Sequence, residues 1–569
     1  MASFLISCLE QLYHILSVIN FINILTIETS AMENSTTNEA PPKTPSTEPS
    51  VEPEEDIEYE DMGMAVMGIE HVQLYNAGGY HPVHLDDILI SRFEVVHKLG
   101  SGGFGIVWLC RDLKLGKWRA VKIIVANRSS DCAEKKIYDR LRNRYTLEEL
   151  EEHHITVPLE EFWIEGPNGR HLCLVMPVHG STVASWRMSM RDWQEGADTT
   201  SKNVCSQIIK AVGLLHREGI CHGDLRPDNI LMKLEGIDGL NKEQVLNLMG
   251  EHDLYEIGTV SGNPPGPRAP EYCVVRAESD WCETMSTKSI TIVDFGESFF
   301  IDNPPKTTGI PNLYAAPEIM FEDSGIPGLY SDIWSLACTL FEVRTNEPLL
   351  YSYIGGSSLP IAELELYVGL LPPVYGAAYS KMLGEYLRKY RRAPSAPAVD
   401  HEAESNANLN STEDGDKFAD QDDDDQHKNI DKDNSLYENK DEDDEDKHES
   451  ESEKKLRHRR EEFTEGSGYS DVLEARLGEE RQVIRKFQDP KYLPPDDGSE
   501  YIKWQYSRKE VVELADLLRK MLKYDPSERI SMDTVISHPW VGSTTKDGFL
   551  GFQVEDTKFC WTRPSCTFL

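Results

Sequence analysis

Positive charge is scarce in this 569-residue chain: 58 Lys and Arg stand against 98 Asp and Glu, a net charge of −40. A nucleic-acid binder meets phosphate with Lys/Arg surfaces, so this balance speaks against a direct nucleic-acid ligand and for basic protein segments as partners. Cysteine occurs eleven times, but no pair has C-x-x-C spacing and no even ladder forms. Neither a zinc site nor a disulfide framework is indicated, and reduced thiols, as in cytosol or nucleus, are the expected state. Uncharged apolar runs are few. Gln11 to Ile27 (QLYHILSVINFINILTI) is 17 residues long, contains Asn20 and Asn23 and follows no Lys or Arg. That is short for a membrane span and lacks the basic start of a secretory leader. Met32 then opens MENSTTNEAPPKTPSTEP, so residues 1–31 read as an upstream extension of the gene model, with a membrane anchor as the alternative.

The charge is also uneven. Residues 401–455 hold 22 Asp/Glu and 7 Lys/Arg, the composition of a disordered, solvated insert. From Met32 to Met62 the chain is rich in Pro, Ser, Thr and Glu, with too few apolar side chains to offset ordering entropy. Residues 1–70 are therefore expected to be a disordered acidic tail. Alternating apolar residues around a glycine cluster, Arg92 to Asp112, predict a β-hairpin. Helical spacing dominates later, in Asn203–Gly219 and Lys509–Leu522. Strands first and helices after predict an α+β chain, a small β-rich lobe at 71–180 packed on a larger helical lobe at 181–541. Two excursions interrupt the second lobe: 233–289, which contains the turn-rich SGNPPGPRAPEY, and about 394–458, which is acidic. Residues 542–569 read as a tail.

Several short motifs carry chemistry. Gly100-Ser101-Gly102-Gly103-Phe104-Gly105-Ile106-Val107 fits G-x-G-x-x-G-x-V. Such glycines also occur in dinucleotide-binding folds, where they lead into a helix; here they lead back into a strand, GIVWLC, which suits a cover over ATP phosphates. Lys122 in WRAVKII follows seventeen residues after Gly105, with Ala120 on the same strand, and Glu134 in CAEKKIYDRL is its candidate helix partner. Glu148, Glu149 and Glu151 fall after that helical run. A lone strand lysine would snorkel to solvent; its place behind the glycine loop points instead to a phosphate ligand. HGDLRPDNIL (His222–Leu231) supplies Asp224 to accept a hydroxyl proton and Asn229 to ligate Mg²⁺, while IVDFGES supplies Asp294 as the second metal ligand. Arg226 stands where a lysine usually touches the γ-phosphate, a planar fork in place of an ammonium. LCLVMPVHG (Leu172–Gly180) reads as a hinge: Met176 at the gate, Pro177 offering its C=O and His179 its N–H to adenine. Ala316-Pro317-Glu318, Asp332 in YSDIWSLACTLFEV and Arg529 in DPSERIS match, by resemblance to protein kinases, the close of the activation segment, the aspartate that braces the catalytic loop and the arginine that pairs with that glutamate.

The set and its order resemble protein kinases. Gly78-Gly79-Tyr80-His81-Pro82-Val83 ahead of the first strands, with Val107-Trp108-Leu109 after the glycine loop, further resembles the SR-protein-specific kinases, particularly fungal ones. The resemblance covers about residues 70–541. It implies a two-lobed kinase fold, ATP and Mg²⁺ as cofactors, and serine phosphorylation in Arg/Ser-rich splicing and RNA-processing proteins. A monomer shared between cytoplasm and nucleus, off the membrane and without direct nucleic-acid contact, is the corresponding expectation. Glycine at 223 replaces the arginine that in many kinases waits for a phosphorylated activation loop, so the segment from Asp294 to Glu318 is expected to be ordered without phosphorylation, leaving Thr307 and Thr308 as loop residues. Ala315 replaces the arginine usual in this group and leaves the substrate site open; a kinase with other substrates, or a scaffold binding basic proteins, are the alternatives. Glu347, Glu363 and Glu365 lie where the family docks substrates, with an ordinary acidic surface as the plain reading. KKLRHRR (Lys454–Arg460) could direct nuclear import or merely balance charge, and Cys566-Thr-Phe-Leu569 has the prenylation form with a poor aliphatic match.

Overall fold

The computed structural model describes residues 57–60, 68–190, 197–278, 281–321, 325–350, 361–381, 450–486 and 500–542. The apolar run at 11–27, the acidic tract up to residue 449 and the tail from 543 lie outside the described residues. Among the described residues no helix is long and apolar enough to cross a membrane.

The first lobe is an antiparallel sheet of six strands: β1 (Ile88–Leu89), β2 (Phe93–Gly102), β3 (Gly105–Asp112), β4 (Lys117–Ile124), β5 (Glu160–Gly166) and β6 (Gly169–Met176), in the order β1-β2-β3-β4-β6-β5. Alternate side chains serve opposite faces. Val95, Ile106, Trp108, Val121, Ile123, Cys173 and Val175 enter one core, whereas Ile124, Leu172 and Leu174 meet α1 (Ala133–Arg142) in another. That helix buries Glu134, Ile137, Tyr138 and Leu141, one stripe at helical spacing.

The sheet is covered by the end of the N-terminal tail, which was expected to be disordered, and by the excursion at 233–289. Tyr59 is 1% exposed, bridges to Thr259 and donates its hydroxyl to Tyr75 O at 2.8 Å. Glu70 is buried against Lys98 of β2. The tail expected through residue 70 is thus too long at its end: Ile57–Glu60 and Gly68–Glu70 are seated, because a few aromatic and apolar anchors there find a hydrophobic face to cover. The excursion at 233–289 is likewise folded onto this lobe. Asp238 accepts the N–H of Trp118 at 2.8 Å, Leu240 O accepts its indole N–H at 3.0 Å, and Val245, Met249, Trp281 and Cys282 join Trp118 in a core. Lys242 bonds Asp86 at 2.6 Å and Glu94 at 2.7 Å.

In the second lobe β7 (His179–Thr182), β8 (Ile220–Cys221) and β9 (Ile230–Leu234) surround the catalytic loop. The folded excursion adds a hairpin of β10 (Leu254–Glu256) and β11 (Tyr272–Val274). β12 (Ser286–Ile292) pairs with β9, Ser286 opposite Leu234, so the excursion proper begins after 234 and ends before 286. β13 (Phe299–Phe300) pairs with β8. Helix α2 (Ala197–Arg217) packs on α3 (Leu329–Thr345), which is buried almost all round, as a helix at the centre of a lobe must be. Helix α4 (Arg508–Met521) closes the lobe, its Ser507 cap accepting from Glu510 N at 3.2 Å. The acidic excursion was expected to reach 458, yet Glu451–Thr464 is a helix with a Ser450–Glu453 capping box. Lys454–Arg460 lies on it, with Leu456 buried and Arg460 donating to the Leu366 and Glu365 carbonyls.

Candidate active site

The cleft between the lobes gathers the residues that the motifs singled out. Lys122 sits in mid-β4 between Val107 and Leu174, on the cleft side of the sheet. Its ammonium donates to Glu134 Oε2 at 2.7 Å and to Asp294 Oδ1 at 2.9 Å. Glu134 is 3% exposed, and its second oxygen accepts the Tyr138 hydroxyl at 2.7 Å, so both oxygens of this buried carboxylate are engaged. Burial alone would lower the Lys122 pKa, but the charges of Asp294 and Glu134 outweigh it and hold the ammonium above its usual range. Burial opposes ionisation of Asp294 as well, and the neighbouring Lys122 overcomes it, keeping the carboxyl below its ordinary value.

Asp294 adopts a left-handed backbone, φ +60°. The next residue, Phe295, is wholly buried, edge-on to Tyr138 at 5.4 Å and 5.3 Å from the His222 ring. Phe295 thereby ties α1 to the catalytic loop, and Glu134 is held at Lys122.

The catalytic loop hangs from Asp332 of α3, which accepts the N–H of His222 at 2.7 Å and of Gly223 at 3.1 Å. Asn229 donates its amide to Asp224 Oδ2 and Asp224 O, both at 2.7 Å, which leaves its amide oxygen as the atom that could ligate a metal. Arg226 reaches Asp224 at 3.3 Å and Asp228 at 2.8 Å. Burial raises the Asp224 pKa, against the charges of Arg226 and His222. Gly223 has φ +78°, and a Cβ there would stand 2.4 Å from Glu297 O. Only glycine fits this backbone beside this carbonyl.

Glu297 accepts the N–H of Gly309 at 3.0 Å, and Ser298 donates its hydroxyl to His222 O at 2.7 Å, so the start of the activation segment is tied both to its own middle and to the catalytic loop. At its end Glu318 receives both ends of the Arg529 fork, at 2.7 and 2.6 Å, with Arg529 3% exposed. Glu297 was not foreseen from sequence: a glutamate after DFG carries no spacing signal. Tyr138 had one, four residues after Glu134 on the buried stripe.

Gly102 pairs with Gly105 to close the glycine hairpin, and at Gly105 (φ +154°) a Cβ would meet Ile123 O at 2.2 Å. Gly100, Gly102 and Gly103 face open space where an added Cβ would meet nothing within 4 Å. Ser101 and Val107 lie on the hairpin strands, and the Phe104 ring rests on Gly296 with the Arg128 guanidinium 4.6 Å from its centroid. At the hinge, Met176 pairs with Ala120, and Pro177 leads through Val178 to His179 on β7. The His179 ring turns to Thr156, Nε2 to Oγ1 3.0 Å, and burial pushes its pKa down to about 3. This neutral ring is held on Thr156, while His179 pairs with Lys233 of β9.

The residues fit a magnesium nucleotide. The open glycine backbone and a charged lysine suit phosphates. Among the described residues no three of His, Cys, Asp and Glu form a self-sufficient metal cage. Asn229 and Asp294 offer two oxygens, the kind of partial donor set that Mg²⁺ completes with water and phosphate. Of the three glutamates in the expected docking region, Glu347 pairs with Arg476 at 3.2 Å, Glu365 accepts the Leu371 N–H at 3.2 Å, and Glu363 is half-buried.

Known proteins match part of this chain. The protein kinase domain family matches residues 93–244. The serine/threonine-protein kinase spk-1 of Caenorhabditis elegans is 28% identical over 185 residues, 31% of this chain and 17% of that protein. The serine/threonine-protein kinase SRPK of Physarum polycephalum is 28% identical over 296 residues, 49% and 66% of the two chains. Human SRSF protein kinase 3 is 32% identical over 162 residues, 28% of each chain. The matched part thus spans less than two thirds of each of these relatives. The chain is therefore similar to the protein kinase domain over residues 93–244 and, over part of its length, to SR-protein kinases.

Proposed function

We propose that this chain is a protein kinase that phosphorylates serines in Arg/Ser-rich proteins and does so without phosphorylation of its activation segment. The observation that carries the reading is Lys122 engaged at once by Glu134 and Asp294, beside Asp224 and Asn229. When bound, MgATP supplies the phosphoryl group. Lys122 orients phosphate, Asn229 and Asp294 hold the metal, and Asp224 accepts the serine hydroxyl proton at its carboxylate. The bonds from Glu297 and Ser298 support an activation segment set in place by the chain itself. The names of the relatives, SRSF protein kinase among them, support the substrate class.

The test is phosphate transfer from labelled ATP by the unphosphorylated full chain to an Arg-Ser repeat peptide and a Lys-Ser control, with Asp224→Ala alongside. Selective labelling of the Arg-Ser peptide, lost in the variant, is the expected result. Equal labelling of both removes the substrate class, and no labelling with ATP binding intact leaves a scaffold.

A further inference from the structure

The segment Gly78–Val83 supplies none of the cleft residues described above, yet its tyrosine touches the glycine loop. Tyr80 is 2% exposed and donates its hydroxyl to Gly102 O at 3.0 Å. It does so from the side of the sheet away from Lys122, since it packs in one cluster with Val121 and Ile123, which flank Lys122 on β4 and face the other way. Tyr80 itself cannot follow the loop. Its N–H donates to Leu74 O at 2.8 Å, its C=O accepts the Asn168 amide at 2.7 Å, and its ring meets Tyr75 edge-on at 5.5 Å. Asn168, 3% exposed in the turn between β5 and β6, also accepts the Gly78 N–H at 2.7 Å on its backbone carbonyl and donates to Arg268 O at 2.6 Å. Burial, then the charge of Glu70, raises the Tyr80 pKa, so the hydroxyl keeps its proton and stays a donor.

Gly102 and Gly103 leave the peptide between them free to turn over, because neither has a side chain to restrict it and both border open space. The freedom that lets this backbone approach a phosphate is then lost on binding one, at a cost in affinity. A hydrogen bond to Gly102 O selects one orientation of the peptide in advance. Carbonyl and N–H lie antiparallel across a trans peptide, so the Gly103 N–H is turned away from Tyr80, whose side of the sheet is not the one that carries Lys122. The bonded carbonyl also polarises the N–H it is conjugated with and makes it a better donor. On the far side of the turn the Phe104 ring rests on Gly296, so the loop is held at both ends. Resting on the kinase reading above, we propose that Tyr80 is a positioning residue for the phosphates of ATP, its hydroxyl setting the Gly102–Gly103 peptide so that the Gly103 N–H is free to meet them.

The experiment measures equilibrium binding of MgATP and of adenosine to the full natural chain and to Tyr80→Phe, which keeps the buried ring and removes only the hydroxyl. Adenosine reports the base site and carries no phosphate. ATP should bind roughly three- to tenfold more weakly to the variant, the scale of one hydrogen bond, while adenosine binds as before. Deuterium uptake by Gly100–Gly105 should rise in the variant with that of β4 and β6 unchanged. These two internal controls keep the result readable if Tyr80→Phe melts early, since general loosening would weaken both ligands and speed exchange in all three segments. Unchanged ATP affinity, or ATP and adenosine weakened by the same factor, overturns the assignment and leaves the kinase reading standing. Failure of the natural chain to bind MgATP overturns both.

Discussion

Glu70 and Lys98 form an ion pair with both side chains at most 1% exposed, joining the N-terminal arm to the strand that becomes the glycine loop two residues later. Tyr75 adds its hydroxyl to the same carboxylate at 2.5 Å. Removing one partner strands the other charge. Glu70→Ala should destabilise the chain by about 3–5 kcal/mol, whereas the double change Glu70→Met with Lys98→Met should recover most of the loss, as read from the chemical denaturation midpoint.

Gly223 admits no side chain without moving Glu297. Gly223→Ala should cost about 1–3 kcal/mol in stability through a strained backbone and reduce phosphate transfer as well, since the Gly309 tether shifts with Glu297. Melting and initial-rate assays check both. A melting point equal to that of the natural chain would show that the loop has room.

Glu134→Gln keeps the shape of the Lys122 partner and the acceptor for Tyr138 but removes a charge. Asp294 then competes alone for the lysine, at the expense of its role toward metal. The expected result is a KM for ATP raised roughly tenfold, about 1.4 kcal/mol of binding, with the fold intact by circular dichroism.

Asp224 must be ionised to accept a proton, and its folded pKa is raised by burial. Transfer should therefore fall on the acid side at a pH above the ordinary carboxylate value. For stability, a raised folded pKa means a contribution present at low pH and lost as pH rises through that pKa, so the ionised group works against folding at pH 7. Asp224→Asn should abolish transfer by a factor of roughly 10² or more and melt no lower than the natural chain at pH 7. A clear drop in its melting temperature would contradict the burial account.

The residues legible in sequence are those whose partners follow from short, fixed spacings. Lys122, Asp224, Asn229 and Asp294 lie in motifs of a few residues, and the structure gathers them in one cleft. Glu134 was readable as the first member of a buried helical stripe. Long-range choices were not. The alternation of β4 says that Trp118 wants cover, but not that residues 238–249, about 120 positions on, provide it. The polar composition before residue 70 hides Tyr59 and Glu70, two side chains whose burial depends on a surface built elsewhere.

The arm and the folded excursion meet across nearly two hundred residues of chain, Tyr59 against Thr259, on a sheet made entirely of residues between them. On the ribosome this has a consequence for timing. The first lobe is complete as a sheet once β6 has emerged, but Trp118 and Val96, on the same side as Lys122, stay uncovered until the chain has been made past Trp281. Contacts of such separation form late and expose apolar surface meanwhile. The nascent first lobe should therefore bind holdase chaperones while the catalytic loop is being synthesised and release them only once Trp281 and Cys282 have arrived.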